Sequence, residues 1–162
     1  LVWFRRAQLH PRLYGLFAMS RYVLHHDQSF GIVPLSQQDG AWHVFLIQHR
    51  HGRYWGFPKG HAEPNETPQE AAARELKEET NLDVVRIFDG EPMLEKYQFT
   101  LEGRRIAKQV LYFVAEVSGT VVLQQKEIQN GVWAPLLTAH EKITHQEGKN
   151  ILAQVIKRLK IS

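Results

Sequence analysis

Residues 60–82, "GHAEPNETPQEAAARELKEETNL", decide how this chain is read. The stretch is punctuated for a helix. Thr67 can cap, Pro68 suits the first helical position, and Glu70 completes a Thr-x-x-Glu capping box. "EAAARELKEE" has high helix propensity. Asn81 can adopt the left-handed conformation that ends a helix, a place more often given to Gly. The pattern predicts a helix from about Pro68 to Thr80. It also crowds Glu70, Glu75, Glu78 and Glu79 onto that helix, with Glu66 just ahead.

At about 100° per residue, Glu79 falls about 40° to one side of Glu75 and Glu78 about 60° to the other. Leu76, Ala72 and Thr80 make an apolar stripe beside them, Ala71 leaves space, and Lys77 points away. One reading is a solvated acidic face with Arg74–Glu78 and Glu75–Lys77 as incidental neighbours. It predicts charges opposite the core, with lysines interleaved. The other is a cation site. Two carboxylates about 4 Å apart repel by about 4 kcal/mol at an effective dielectric near ~20. A hard divalent ion with oxygen ligands removes that cost.

The flanks read as strands. "SFGIVPLS" and "AWHVFLIQHR" are joined by "QQDG", a hairpin signal. "HGRYWGFPKGHAEPNE" reads as a structured loop. After the helix, "LDVVRIFDG", "MLEKYQFTLEG", "RIAKQVLYFVAEVSG", "TVVLQQKEI" and "NGVWAPL" read as strands. "LLTAHEKI" and "QEGKNILAQVIKRLK" read as terminal helices, the second with Ile151, Leu152, Val155, Ile156 and Leu159 on one side. Strands, helix, strands and helix in that order predict a mixed sheet covered by helices, of the α/β class, in one domain.

With 162 residues the chain suffices for one core. Its hydrophobic share of 43% and charged share of 23% are ordinary for globular proteins. No apolar run approaches the ~18 residues of a membrane span, so no membrane partner is expected. The absence of cysteine excludes disulfides, thiolate metal sites and a cysteine nucleophile. It fits a cytoplasmic location.

The net charge of +3 is carried by Arg5, Arg6, Arg12 and Arg21, in an acid-free stretch over residues 1–26. The body is close to neutral, so an obligate nucleic-acid partner is not expected. Residues 1–26 are read as a basic extension and 27–162 as the functional domain. The extension is either an organelle-targeting segment or extra sequence ahead of a start near Met19.

Gly60, Glu66, the run Arg74-Glu75-Leu76, Glu78-Glu79 and the aliphatic Leu82 resemble the Nudix box. Asn81 stands where that family usually has Gly, a mild exchange because Asn tolerates the same backbone region. The resemblance implies an α/β/α sandwich and hydrolysis of a diphosphate linked to another moiety. By position it implies Mg²⁺, with Mn²⁺ as substitute, held by Glu75, Glu78, Glu79 and the Gly60 carbonyl. Arg74 would orient a carboxylate, Glu75 for preference, by paired hydrogen bonds. Glu66 would brace the loop. Glu127 matches a further acid that binds metal or acts as base, its plainer reading being a surface glutamate.

"YWGFPKGHAEP" resembles the diadenosine tetraphosphate hydrolase branch, in which Lys-Gly-His opens the box. Lys59 and His61 would then meet phosphate. Upstream, His49, Arg50, His51 and Arg53 either hold a polyanion or form a solvated loop tip. "EKYQF" and "AKQVLYFVAEV" also resemble this branch. Lys108 is the candidate phosphate contact, and Tyr97 and Tyr112 the candidate stacking rings, each with core packing as its plainer reading. Some members have His at Tyr54, so its task falls here to Tyr54, to His61 or to nothing.

The resemblance implies a small nucleotide substrate and needs no more than a monomer. Diadenosine tetraphosphate would be cleaved to ATP and AMP. The alternatives are a nucleoside triphosphate, a 5′-triphosphate RNA end or a diphosphoinositol polyphosphate. A third reading is a non-catalytic Nudix sensor, against which the intact Arg74, Glu75, Glu78 and Glu79 argue.

Overall fold

The computed structural model describes residues 23–161. The expectations about the basic extension fall almost wholly on residues outside that range. The mixed sheet contains β1 (Leu24–Gln38), β2 (Ala41–His49), β3 (Trp55–Gly56), β4 (Lys59–Gly60), β5 (Asp83–Ile87), β6 (Met93–Leu101), β7 (Arg104–Ser118) and β8 (Ile128–Pro135). Two helices flank it, α1 (Pro68–Thr80) and α2 (Gln146–Leu159). β1 begins ahead of the regular pattern visible in the sequence, because Leu24, His25 and His26 already pair with Arg105, Ile106 and Ala107.

β1 and β7 run parallel at the centre, and the other pairings are antiparallel. The β1–β2 hairpin closes at Asp39 and Gly40, both at positive φ, as a two-residue Asp-Gly turn requires. Central strands bury both faces, so their alternating side chains feed two cores. Val33, Leu35, Val44, Leu46, Val110 and Val114 point to one, closed by Ile151, Leu152 and Val155 of α2. Phe30, Ile32, Phe45, Ile47, Phe113 and Val117 point to the other, closed by Ala71, Ala72 and Leu76 of α1. A helix lies on each face of one mixed sheet, as the sequence predicted.

Three local expectations are corrected. The loop before α1 contains two short strands: β3 pairs with β2, and β4 with β1 through Phe30–Gly60 and Gly31–Lys59. "TVVLQQKEI" is irregular up to its final Ile128. Its amides serve α1 instead, Val122 N donating to Thr80 O (3.0 Å) and Gln124 N to Glu79 O (3.1 Å). Carbonyls left open at a helix end thus take the partners a neighbouring strand would have had. "LLTAHEKI" forms only a 3-10 turn at Ala139–Glu141. Thr144 then ties this connection to β3, its Oγ1 accepting from Trp55 N (2.8 Å) and its amide donating to Trp55 O (3.2 Å).

Candidate active site

The helix α1 starts and stops as its sequence dictates. Thr67 Oγ1 accepts from Glu70 N at 3.2 Å, and Glu70 Oε2 accepts from Thr67 N at 3.3 Å. Asn81 ends the helix at φ 66° and donates from Nδ2 to Thr120 O at 2.9 Å. This fixes which side chains face the sheet edge at β4. Glu79, although a carboxylate, lies among the buried residues.

Arg74 organises the acidic edge. Nε donates to Glu66 Oε2 at 2.7 Å and Nη2 to Glu66 Oε1 at 3.0 Å. Nη1 reaches Glu75 Oε1 at 3.0 Å and Glu78 Oε2 at 3.1 Å, and Nη2 also reaches His61 O at 2.8 Å. The paired hydrogen bonds expected for Glu75 therefore go to Glu66, and Glu75 receives a single one. The guanidinium holds Glu66 below the usual carboxylate range, helped by the Glu63 amide. It is itself held more firmly protonated, chiefly by Glu66. Glu66 Oε1 accepts that amide at 2.7 Å, which ties the loop to the helix.

Glu75 and Glu79 are poised differently. Burial pushes Glu75 up, and Arg74 only partly offsets this, while Glu78 and Glu127 add to it. Glu79 is 4% exposed, and its Oε2 has no hydrogen-bond partner among the described residues. Burial, with the Glu75 charge next, pushes Glu79 up to about 8, against an opposing pull from the Lys59 amide that exceeds the further push from Glu127. Gly60 lies directly against Glu75, since a Cβ on Gly60 would overlap that carboxylate. Glu127 sits in the turn before β8, exposed, and its own carbonyl accepts from Arg50 N at 2.8 Å.

These residues fit a hard divalent cation. The groups are all oxygen donors, one carboxylate oxygen is buried and unmatched, and two carboxyls are pushed up where each would otherwise repel the other. The cage is not preassembled. Among the described residues no three acidic or His side chains already converge on one point, and Arg74 occupies one oxygen of Glu75 and one of Glu78.

Lys59 stands where the acidic edge meets a cleft of about 460 Å³. Its Nζ donates to Tyr97 Oη at 3.0 Å and lies 5.3 Å from the Tyr97 ring centroid and 6.0 Å from that of Tyr54. Tyr54 stacks on His49, with centroids 4.3 Å apart, and meets His145 at 5.4 Å. His49 is therefore no solvated tip. Burial pulls its imidazole down to about 4, with a smaller push from Lys59.

Two predicted contact residues are placed deeper. Tyr112 is 2% exposed, boxed by Phe57 at 5.3 Å edge-on and by Gly31, where a Cβ would strike the ring. It floors the cleft instead of offering it a ring face. Lys108 is 8% exposed, its ammonium bound to Asp27 Oδ2 and Ser29 Oγ, each at 2.6 Å. Asp27 Oδ1 also meets His61 Nε2 at 2.7 Å. Burial raises the Asp27 carboxyl, but the Lys108 and His61 hydrogen bonds outweigh it and hold it low. Lys108 thus reaches the metal loop through Asp27 and His61.

The sequence reading passed over Glu95, Phe99, His145 and Glu147, which also line the cleft. Alternation could have found Glu95: it follows Met93 and precedes Tyr97 on the inward side of β6.

A family model for the NUDIX domain matches residues 25–156, and the chain belongs to the Nudix family of hydrolases, which act on small nucleotide substrates with divalent metal ions. Among its relatives is an asymmetrical bis(5′-nucleosyl)-tetraphosphatase of Caenorhabditis elegans. It is 29% identical over 124 residues, spanning 75% of this chain and 88% of that protein. A Mycobacterium tuberculosis relative carrying the mutator-protein name MutT4 is 29% identical over 83% of this chain, which spans only 56% of that protein's length. In three dimensions the chain resembles a C. elegans Ap4A hydrolase binary complex, with TM-score 0.65, 25% identity, and coverage of 82% of this chain and 97% of that one. Among the described residues no helix is long and apolar enough to cross a membrane.

Proposed function

We propose that the chain hydrolyses dinucleoside polyphosphates in a Mg²⁺-dependent reaction, with diadenosine tetraphosphate cleaved to ATP and AMP. One observation carries the reading. Lys59 is continuous with both the buried, unmatched Glu79 and the aromatic cleft, so one ligand can lay its phosphates on the acidic edge and a base in the cleft. The tetraphosphatase relative and the Ap4A hydrolase neighbour support the choice of substrate.

Mg²⁺ would be held by Glu75, Glu78, Glu79 and the Gly60 carbonyl, with Mn²⁺ as substitute. The chemistry such an ion supplies is neutralisation of phosphate charge and activation of a water nucleophile. The protein's own groups do the rest. Lys59 draws the polyphosphate down by its ammonium, and Tyr54 and Tyr97 flank that ammonium and hold the adjoining nucleoside. With Nε2 held by Asp27, His61 in its imidazolium form donates from Nδ1 to a phosphate oxygen. Glu66 and Arg74 keep the loop and helix in register. As water forms its bond to phosphorus, Glu127 takes the proton, and the bridging P–O bond breaks to release the nucleotide.

A nucleoside triphosphate is the second reading, because one nucleoside in the cleft with its phosphates over Lys59 already uses these groups. A substrate panel with Mg²⁺ tests the choice, with products read in heavy-oxygen water to locate the attacked phosphorus. Faster turnover of dinucleoside tetraphosphates than of triphosphates, releasing ATP, is expected. The reverse order would replace the first reading with the second.

A further inference from the structure

The cleft contains a charged group that the hydrolytic reading does not use. β6 alternates, so Met93, Glu95 and Tyr97 share its inward side. Met93 joins the core, Tyr97 meets Lys59, and Glu95 lines the cleft between them. Glu95 is 9% exposed, yet no hydrogen bond satisfies its carboxylate among the described residues. A carboxylate that lines a cleft can take its donors from a ligand seated there. Glu147 and His145, from the start of α2, line the same cleft and act on the Glu95 carboxyl, with Tyr54, Trp55 and Phe99 also in the lining. The surroundings are largely aromatic, and the deep polar groups are Glu95 on β6 and His49 on β2, the latter stacked on Tyr54. Such a pocket holds a planar ring by its faces and reads it by one edge.

An ionised carboxylate accepts hydrogen bonds and donates none. The Watson–Crick edge of adenine presents one amino donor beside a ring-nitrogen acceptor, so only half of it suits such a group. The edge of guanine presents a ring N–H and an amino group side by side, which match both carboxylate oxygens. We propose that Glu95 is a specificity-determining residue whose carboxylate reads the paired ring N–H and amino donors of a guanine-type base seated in the cleft. The inference rests on the reading of the chain as a nucleotide hydrolase with its phosphates over Lys59. It makes a guanine-bearing dinucleotide a better substrate than the diadenosine compound. A structural role is the competing explanation, since burial pushes the Glu95 carboxyl up and the Lys59 charge draws it back. An acid that only balanced that lysine would support every base equally.

Equilibrium binding of nucleoside 5′-monophosphates without metal separates these possibilities, because it needs neither turnover nor the acidic edge. The wild-type protein should bind GMP about tenfold more tightly than AMP, one good bidentate contact corresponding to about 1–3 kcal/mol. N1-methyl-GMP, which lacks the ring donor, should lose most of that advantage. This arm uses the unaltered protein and does not depend on a variant folding. Glu95→Gln supplies one donor and one acceptor, so it should narrow or reverse the GMP-to-AMP ratio, with folding checked by circular dichroism. Equal binding of GMP, N1-methyl-GMP and AMP by the wild type would overturn the proposal. So would a Glu95→Gln protein that weakens both nucleotides by the same factor. A protein that prefers GMP as stated but cleaves no dinucleoside polyphosphate would remove the hydrolytic substrate reading and leave the role of Glu95 standing.

Discussion

Arg74 grips Glu66 with two of its nitrogens, at 2.7 and 3.0 Å, across eight residues of sequence. The fork joins the loop bearing Gly60 to the helix bearing Glu75 and Glu79. A planar guanidinium makes such a paired contact, and an ammonium cannot. Arg74→Lys should therefore keep the charge, lose the loop–helix register and lower kcat about 10²-fold, with the fold retained. Steady-state kinetics alongside thermal denaturation checks this. A variant within threefold of wild type would show that charge alone suffices.

The capping box makes a separate prediction about stability. Thr67→Ala removes the acceptor for the Glu70 amide and should cost about 1 kcal/mol, measured by urea denaturation. Because α1 also carries the acidic edge, bound Mg²⁺ should stabilise both proteins by the same amount and leave the difference between them unchanged.

His49 gives a pH dependence of known sign. Its folded-state value, about 4, lies below the ordinary 6.5. The neutral imidazole is thus favoured by folding, and the contribution is fully present above pH ~6.5. It is lost as pH falls from there towards about 4, amounting to about 3 kcal/mol at most. His49→Gln should flatten this part of the stability profile. Denaturation midpoints for both proteins between those pH values check it, and parallel profiles would contradict it.

Gly60 faces the Glu75 carboxylate with no room for a side chain. Gly60→Ala should therefore displace Glu75 and cut kcat at least 10²-fold, while changing the overall circular dichroism spectrum little. A fully active variant would mean that the edge tolerates a shifted Glu75.

What the sequence made legible was whatever local chemistry dictates. The α1 boundaries follow from Thr67, Pro68, Glu70 and Asn81, and the two-faced strands follow from runs such as Gly31–Leu35 and Val44–Ile47. Segments whose backbone is claimed by a distant partner misled. Val121 and Leu123 are partly buried around an exposed Val122, which imitates a strand, but the Val122 and Gln124 amides serve the end of α1. Long-range pairing likewise moved two site residues. Lys108 is met by Asp27 across the parallel β1–β7 pair, and the floor beneath Lys59 buries Tyr112. Glu95 was within reach of the β6 alternation between Met93 and Tyr97, but an acid in a strand is easily taken for surface.

The central claim is that the acidic edge of α1 traps a divalent cation. Its most direct measurement is a calorimetric titration of Mg²⁺ into the wild-type protein and Glu79→Gln at pH ~8, near the raised value of Glu79. The wild type should bind Mg²⁺ and Glu79→Gln at least tenfold more weakly, with turnover lower by orders of magnitude in a fold that circular dichroism shows intact. Equal Mg²⁺ affinity in the two proteins, or none in the wild type, would contradict the account.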